Sequence, residues 1–136
     1  MAGYSGTPLL KKLGIKPGHV VLALNEPGDY WKWLSPLPEG VVAKEKLGTG
    51  VHDFIHLFVK EKKAYEKEVL RCRKSLKQDG MIWVSWPKKS SGVVTDITED
   101  VIRNFALKNS LVDIKVCAVD DVWSGLKLVI PVKDRK

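Results

Sequence analysis

At 136 residues, with 44% hydrophobic and 29% charged side chains, the chain has the composition of an ordinary globular protein and enough length to bury a core without staples. No apolar run approaches the roughly 20 residues that span a bilayer, and the opening Met1-Ala2-Gly3-Tyr4-Ser5 lacks the basic-then-apolar order of a secretory signal, so the expected compartment is the cytoplasm and no membrane partner is expected. The net charge of +7 admits a nucleic acid or another phosphate-bearing partner, although the excess is mostly lysine scattered along the chain, as on solvated helix faces.

In chain order, Thr7 to Gly14 reads as a short helix. Thr7 suits the N-cap, Pro8 the first helical position and Gly14 a left-handed stop. Lys16-Pro17-Gly18 makes a turn, and Val20 to Leu24 is an unbroken apolar run, as in a strand buried on both faces. Asn25-Glu26-Pro27-Gly28 ends it, and Asp29 to Leu34 reads as a helix capped by Asp29. Val41 to Ala43 and Val51 to Val59 follow as strands. From Glu61 to Gln78, Tyr65, Val69, Cys72 and Leu76 recur on one helical face, with Asp79-Gly80 as the stop. Met81 to Trp86 is a strand, Pro87 to Thr95 a loop, and Thr98 to Asn109 a helix with Glu99 and Asp100 in its first turn. Val112 to Val119 and Leu126 to Val132 are the last strands.

Strands alternating with helices predict a three-layer α/β fold in one domain, 1–136, with a mainly parallel sheet of about six strands. The last two strands have too short a connection for a parallel crossover, so they pair antiparallel or lie apart. Cys72 and Cys117 have no CxxC partners and read as two core thiols.

The segment Leu13-Gly14-Ile15-Lys16-Pro17-Gly18 followed by Val20-Val21-Leu22-Ala23-Leu24 resembles the opening of class I S-adenosylmethionine-dependent methyltransferases, which have a Rossmann-like fold. Asp53-Phe54-Ile55-His56-Leu57 and Leu76-Lys77-Gln78-Asp79-Gly80-Met81-Ile82-Trp83-Val84-Ser85 resemble later segments of the same family. Tyr4-Ser5-Gly6-Thr7-Pro8-Leu9, Lys11-Lys12-Leu13-Gly14-Ile15-Lys16-Pro17-Gly18, Trp83-Val84-Ser85-Trp86-Pro87-Lys88-Lys89-Ser90-Ser91-Gly92 and Trp123-Ser124-Gly125-Leu126-Lys127 are similar to the signatures of a family of bacterial proteins with no assigned activity. The methyltransferase resemblance implies S-adenosylmethionine as a cofactor, with the acid Glu45 at the end of the second strand in place to hold its ribose. Three departures stand against that. The usual acid position is Ala23, the glycine-rich loop is reduced to Gly28 beside Pro27, and one strand–helix unit between Val42 and Asp53 is missing.

In open α/β sheets, ligands bind beyond the carboxyl ends of the strands. That rule gathers Asn25, Glu26 and Gly28 after the first strand with Lys88, Lys89, Ser90, Ser91 and Gly92 after the fourth. Two cations, two hydroxyls and flexible backbone suit a phosphate or carboxylate, so a small anionic or nucleotide-like molecule is the expected ligand. Trp83 and Trp86, three residues apart in a strand, point to opposite faces; one belongs to the core, and Trp86 beside the loop is placed to floor a pocket. The Trp86-Pro87 bond is expected trans. His52 and His56 fall in a strand without a third ligand, so no metal is expected. Spacing argues for no Ser-His-Asp or Cys-His arrangement, and it leaves three readings open: a ligand-binding domain, a nucleic-acid or protein interaction module, and an active methyltransferase with an unusual cofactor loop.

Overall fold

The computed structural model describes residues 8–136, so most of the Tyr4 to Leu9 motif lies outside the described residues; Pro8, expected as the first helical residue behind a Thr7 cap, is itself the N-cap, at ψ 143°. In chain order the elements are α1 (Leu9–Leu13), β1 (Val20–Leu24), α2 (Tyr30–Leu34), β2 (Val42–Lys44), β3 (His52–Phe58), α3 (Lys62–Ser75), β4 (Leu76–Pro87), α4 (Glu99–Lys108), β5 (Val112–Ala118) and β6 (Trp123–Val129). The strands form one six-stranded sheet in the order β2-β1-β3-β4-β6-β5. The first four are parallel, and β6 pairs antiparallel with both β4 and β5.

Each face of the sheet has its own core. On one side, Tyr65, Val69 and Cys72 of α3 and Ile102 and Ala106 of α4 pack on Leu22, Ile55, Leu57, Ile82, Val84, Leu126 and Leu128. On the other, Leu9 and Leu13 of α1 and Tyr30 and Leu34 of α2 pack on Val21, Phe54, Phe58 and Trp83. The alternation along β3 and β4 produces this division, with Ile55 and Leu57 facing one layer and Phe54 and Phe58 the other. Gly125 makes room for Trp83: a Cβ there would lie 3.1 Å from the indole.

Local chemistry explains most boundaries. Gly14 stops α1 at φ 85°, in the left-handed region. Thr98 caps α4 by accepting from the Val101 N–H. Asp29 precedes α2, but its side chain makes no cap bond. The start of α3 is capped from a distance: the Lys62 N–H donates to Asp96, 2.7 Å away.

The expected helix from Glu61 to Gln78 is corrected at its end. The chain leaves helical geometry after Ser75, and Leu76 is already extended and paired with His52. Leu76 lies in the α3 side's core, as the helical spacing required, but from a strand. The expected stop, Asp79-Gly80, belongs to β4, where the register against β3 jumps between His52 and Phe54. A Cβ on Gly80 would meet Leu76 at 2.8 Å and the His52 carbonyl at 3.0 Å, so this irregular stretch needs glycine for closeness, not for a helix end. Residues 45–51 alone join β2 to β3, with no helix between them. Parallel crossovers normally take a dozen residues or more, but β2 has only 3, so the return path is short. Leu47 from this connection packs against the α3 side's core.

Candidate site at the carboxyl rim

β1, β3 and β4 run parallel, so the segments that follow them emerge at the same edge of the sheet. Asn25 ends β1 in a left-handed conformation, φ 59°, which asparagine tolerates better than most side chains. Gly28 does not take up a positive φ, so the left-handed residue of this loop is Asn25. The Asn25 amide donates to the Phe58 carbonyl across the rim at 3.3 Å. Beside this bond is a cavity of about 460 Å³ lined by Asn25, Pro27, Phe58, Val59, Lys60, Glu61, Ala64 and Trp123.

The floor of this cavity is aromatic. The Phe58 ring meets Trp123 edge-on at 5.0 Å and stacks on His56 at 4.3 Å. Beneath it runs a buried hydrogen-bonded chain: Tyr30 Oη lies 2.8 Å from His56 Nδ1, and His56 Nε2 lies 2.7 Å from Ser85 Oγ. Burial pushes the His56 imidazole down to about 3, so it is neutral at physiological pH. A neutral imidazole donates from one nitrogen and accepts at the other, so the chain runs in a single direction. Burial, and then the Glu26 carboxylate, hold the Tyr30 phenol well above its ordinary range. The three groups tie α2, β3 and β4 together under Phe58. All three are fully buried, so this Ser–His pair faces no substrate and serves to position the floor.

A second cavity of about 310 Å³ flanks the β1 loop on its other side and brings Glu26 and Glu45 together with Ala23, Trp31, Ala43 and Lys44. The Trp31 indole N–H donates to Glu26 at 3.3 Å. A third, of about 330 Å³, lies past β4 between Trp86, Pro87, Lys89, Thr95, Ile97, Thr98 and Glu99. Trp86 is therefore both part of the α3 side's core and a wall of this cavity. Trp83 is fully buried on the opposite face, its indole donating to the Leu13 carbonyl at 2.8 Å.

The expected site residues thus share one rim but divide among its cavities. Asn25 lines the first, Glu26 and Glu45 the second, and Trp86 and Lys89 the third. Lys60 lines the first cavity and its carbonyl accepts from Thr95 of the third at 2.6 Å, so these two are neighbours. The Ser91 hydroxyl is engaged by its own loop, donating to the Lys88 carbonyl at 2.6 Å and accepting from the Val93 N–H at 3.2 Å. The Lys88 N–H is held by the Val122 carbonyl; Lys89 and Ser90 are exposed, and Gly92 closes the turn at φ 76°. Gly28 is exposed and has open space where a Cβ would stand.

The residues missed from sequence are Phe58 to Glu61, Trp123 and the Tyr30–His56–Ser85 chain. A histidine inside the aromatic stretch Phe54 to Phe58 was the one available signal, because a buried imidazole needs partners. His52 accepts from the Gly48 N–H at 3.2 Å through Nε2. Cys72 is a core thiol, whereas Cys117 is only half-buried, a correction to the pairing of the two as core residues. Among the described residues the cis peptide bond is at Ser35-Pro36; Trp86-Pro87 is trans.

No family model matches the chain, and no curated protein does. Solved structures do share its fold. A SAM-dependent methyltransferase from Aquifex aeolicus superposes with a TM-score of 0.67 at 13% identity, covering 90% of this chain and 87% of that one. Aeropyrum pernix fibrillarin, with natively bound S-adenosyl-L-methionine, gives 0.58 at 16% identity, covering 93% and 70%. The 1,6-didemethyltoxoflavin-N1-methyltransferase of Burkholderia thailandensis, with bound 1,6-didemethyltoxoflavin and S-adenosylhomocysteine, gives 0.59 at 14% identity, covering 93% and 78%. The fold of this chain is accordingly Rossmann-like and methyltransferase-like. No helix among the described residues is long and apolar enough to cross a membrane.

Proposed function

We propose that this protein binds a small nucleoside-bearing ligand at the carboxyl rim, with S-adenosylmethionine and S-adenosylhomocysteine as the first compounds to test. The observation that carries the reading is the 460 Å³ cavity beyond β1 and β3, with its aromatic floor of Phe58 and Trp123 and its polar wall of Asn25 and Glu61. An aromatic floor suits a heterocycle or a sulfonium, which ring faces attract. In this reading Glu45 and Glu26, which line the second cavity, would accept from ribose hydroxyls, and Lys60 of the first and Lys89 of the third would meet a carboxylate or phosphate. Pro27 supplies no N–H, and α2 has only 5 residues, so the helix-end cradle usual for a diphosphate is weak here. This favours a ligand held by side chains. Bound S-adenosylmethionine would bring an electrophilic methyl group, and Asn25, Glu45, Glu61 and Trp123 would orient it. The similarity to bacterial proteins of unassigned activity is part of the same reading.

Thermal shift with S-adenosylmethionine, S-adenosylhomocysteine, adenine nucleotides and sugar phosphates tests it. A ligand at 100 times its Kd stabilises by about 2.7 kcal/mol, a rise of several degrees for a chain of this size. Glu45→Gln and Glu61→Gln, both at exposed positions, are expected to shrink the rise. Silence from every nucleoside-bearing compound overturns the proposal. Production of S-adenosylhomocysteine in the presence of candidate acceptors would extend it to catalysis.

A further inference from the structure

On the α1/α2 side of the sheet, away from the rim, β5 and β6 place two lysines directly opposite each other. Lys115 and Lys127 are register partners, and Lys127 also stands opposite Trp83 of β4. Like charges at directly opposed positions of an antiparallel pair destabilise it. Lys127 is half-buried, and burial together with the nearby charges of Lys115 and Lys16 holds its ammonium below the usual range. Lys115 sits 6.0 Å over the centre of the Trp83 ring. Burial holds the half-buried Cys117 thiol above its ordinary range, and the nearby charges of Lys12 and Lys115 oppose that shift. Among the described residues, Lys16, Lys115 and Lys127 make no ion pair with any carboxylate. Residues 1–7, which precede α1, contain no acid either. Asp113 of the same strand is engaged by Arg103, at 3.1 Å.

A fold that sets three lysines together without a counter-charge is built for one supplied from outside. We infer that this face docks the phosphate backbone of a nucleic acid on Lys16, Lys115 and Lys127. The net charge of +7 has the sign to steer such a chain from a distance. Trp123 lies on the same face of β6, about 14 Å along the strand at the rise of an extended chain, so a docked strand would run toward the rim. The inference does not depend on the small-ligand reading and is tested without that ligand.

Fluorescence anisotropy of a labelled single-stranded RNA, and of DNA of the same sequence, is followed over a salt series. Three phosphate contacts give a slope of about −2 in log K against log salt, a loss of roughly 20-fold between 50 and 200 mM. The Lys115→Gln/Lys127→Gln double variant is expected to flatten the slope by about 1.4 while melting no lower than the parent. Lys63→Gln/Lys67→Gln, on exposed positions of α3, removes the same charge from the opposite side and is expected to leave the slope unchanged. Tighter binding of RNA than DNA assigns the face to RNA, and equal binding assigns it to either backbone. No binding of either, or equal losses in the two double variants, overturns the inference.

Discussion

The two faces of the sheet are built by different means. Against α3 and α4 the core is mainly aliphatic, and helices of 14 and 10 residues supply repeated apolar positions to cover it. One polar bond, from the Tyr65 hydroxyl to the Ile102 carbonyl at 2.8 Å, joins these helices. Against α1 and α2, each of 5 residues, there is little helical surface to offer. Wide rings take up the volume instead, and directed hydrogen bonds from Trp83 and Tyr30 fasten the short helices to the sheet. Apolar packing dominates the first face. The second depends on specific polar partners, and it carries the lysine pair of β5 and β6.

The largest effect is expected where a ring and a fastening are lost together. Trp83→Ala should cost about 3–5 kcal/mol, because a fully buried indole leaves a cavity and the Leu13 carbonyl loses its donor. Ile82→Ala, one residue earlier and facing the other core, should cost about 2–5 kcal/mol. The two are told apart by hydrogen exchange: Trp83→Ala should release the α1 amides before the rest of the molecule, and Ile82→Ala should not. If α1 keeps its protection in Trp83→Ala, the fastening role is wrong.

How far this contrast could be read from sequence depends on how local its causes are. β1 was legible as residues 20–24 because an unbroken apolar run has one common explanation, and α4 because Thr98 and its acidic first turn mark its start. The end of α3 was not. Leu76 continues the helical spacing, and only its pairing with His52 shows that the chain has already become a strand. The rim was legible in outline, since parallel strands must send Asn25 and Lys88 to the same edge. Its division into separate cavities was not, because the end of β3 and the segment after it, Phe58 to Glu61, line a cavity of their own. The Tyr30–His56–Ser85 chain joins residues 26 and 29 apart, a separation at which no local pattern operates.

That chain makes the second face pH-sensitive. His56 protonates near 6.5 in the unfolded chain but resists protonation to about 3 when folded. Acid therefore favours unfolding: stability is complete above about pH 6.5 and declines below it, with about 2 kcal/mol lost by pH 5. His52, shifted the same way by burial and Lys44, adds to the decline. Urea unfolding at pH 7, 6 and 5 measures it, and His56→Gln should flatten most of the profile. Equal midpoints at the three pH values would show that a charged imidazole is accommodated after all.

The smallest expected effect has the opposite sign and reaches the far end of the same face. Lys127→Gln removes one of two facing ammonium groups from a half-buried position, so it should stabilise the fold, by about 0.2–1 kcal/mol at low salt. The gain should fade as salt rises, because screening weakens the repulsion being relieved. Lys115→Gln relieves the same contact, so the double variant should gain less than the sum of the two single ones. Loss of stability in Lys127→Gln would mean that its aliphatic stem over the sheet matters more than its charge. A gain in stability accompanied by weaker nucleic-acid binding would show instead that the fold carries the lysine pair at its own expense.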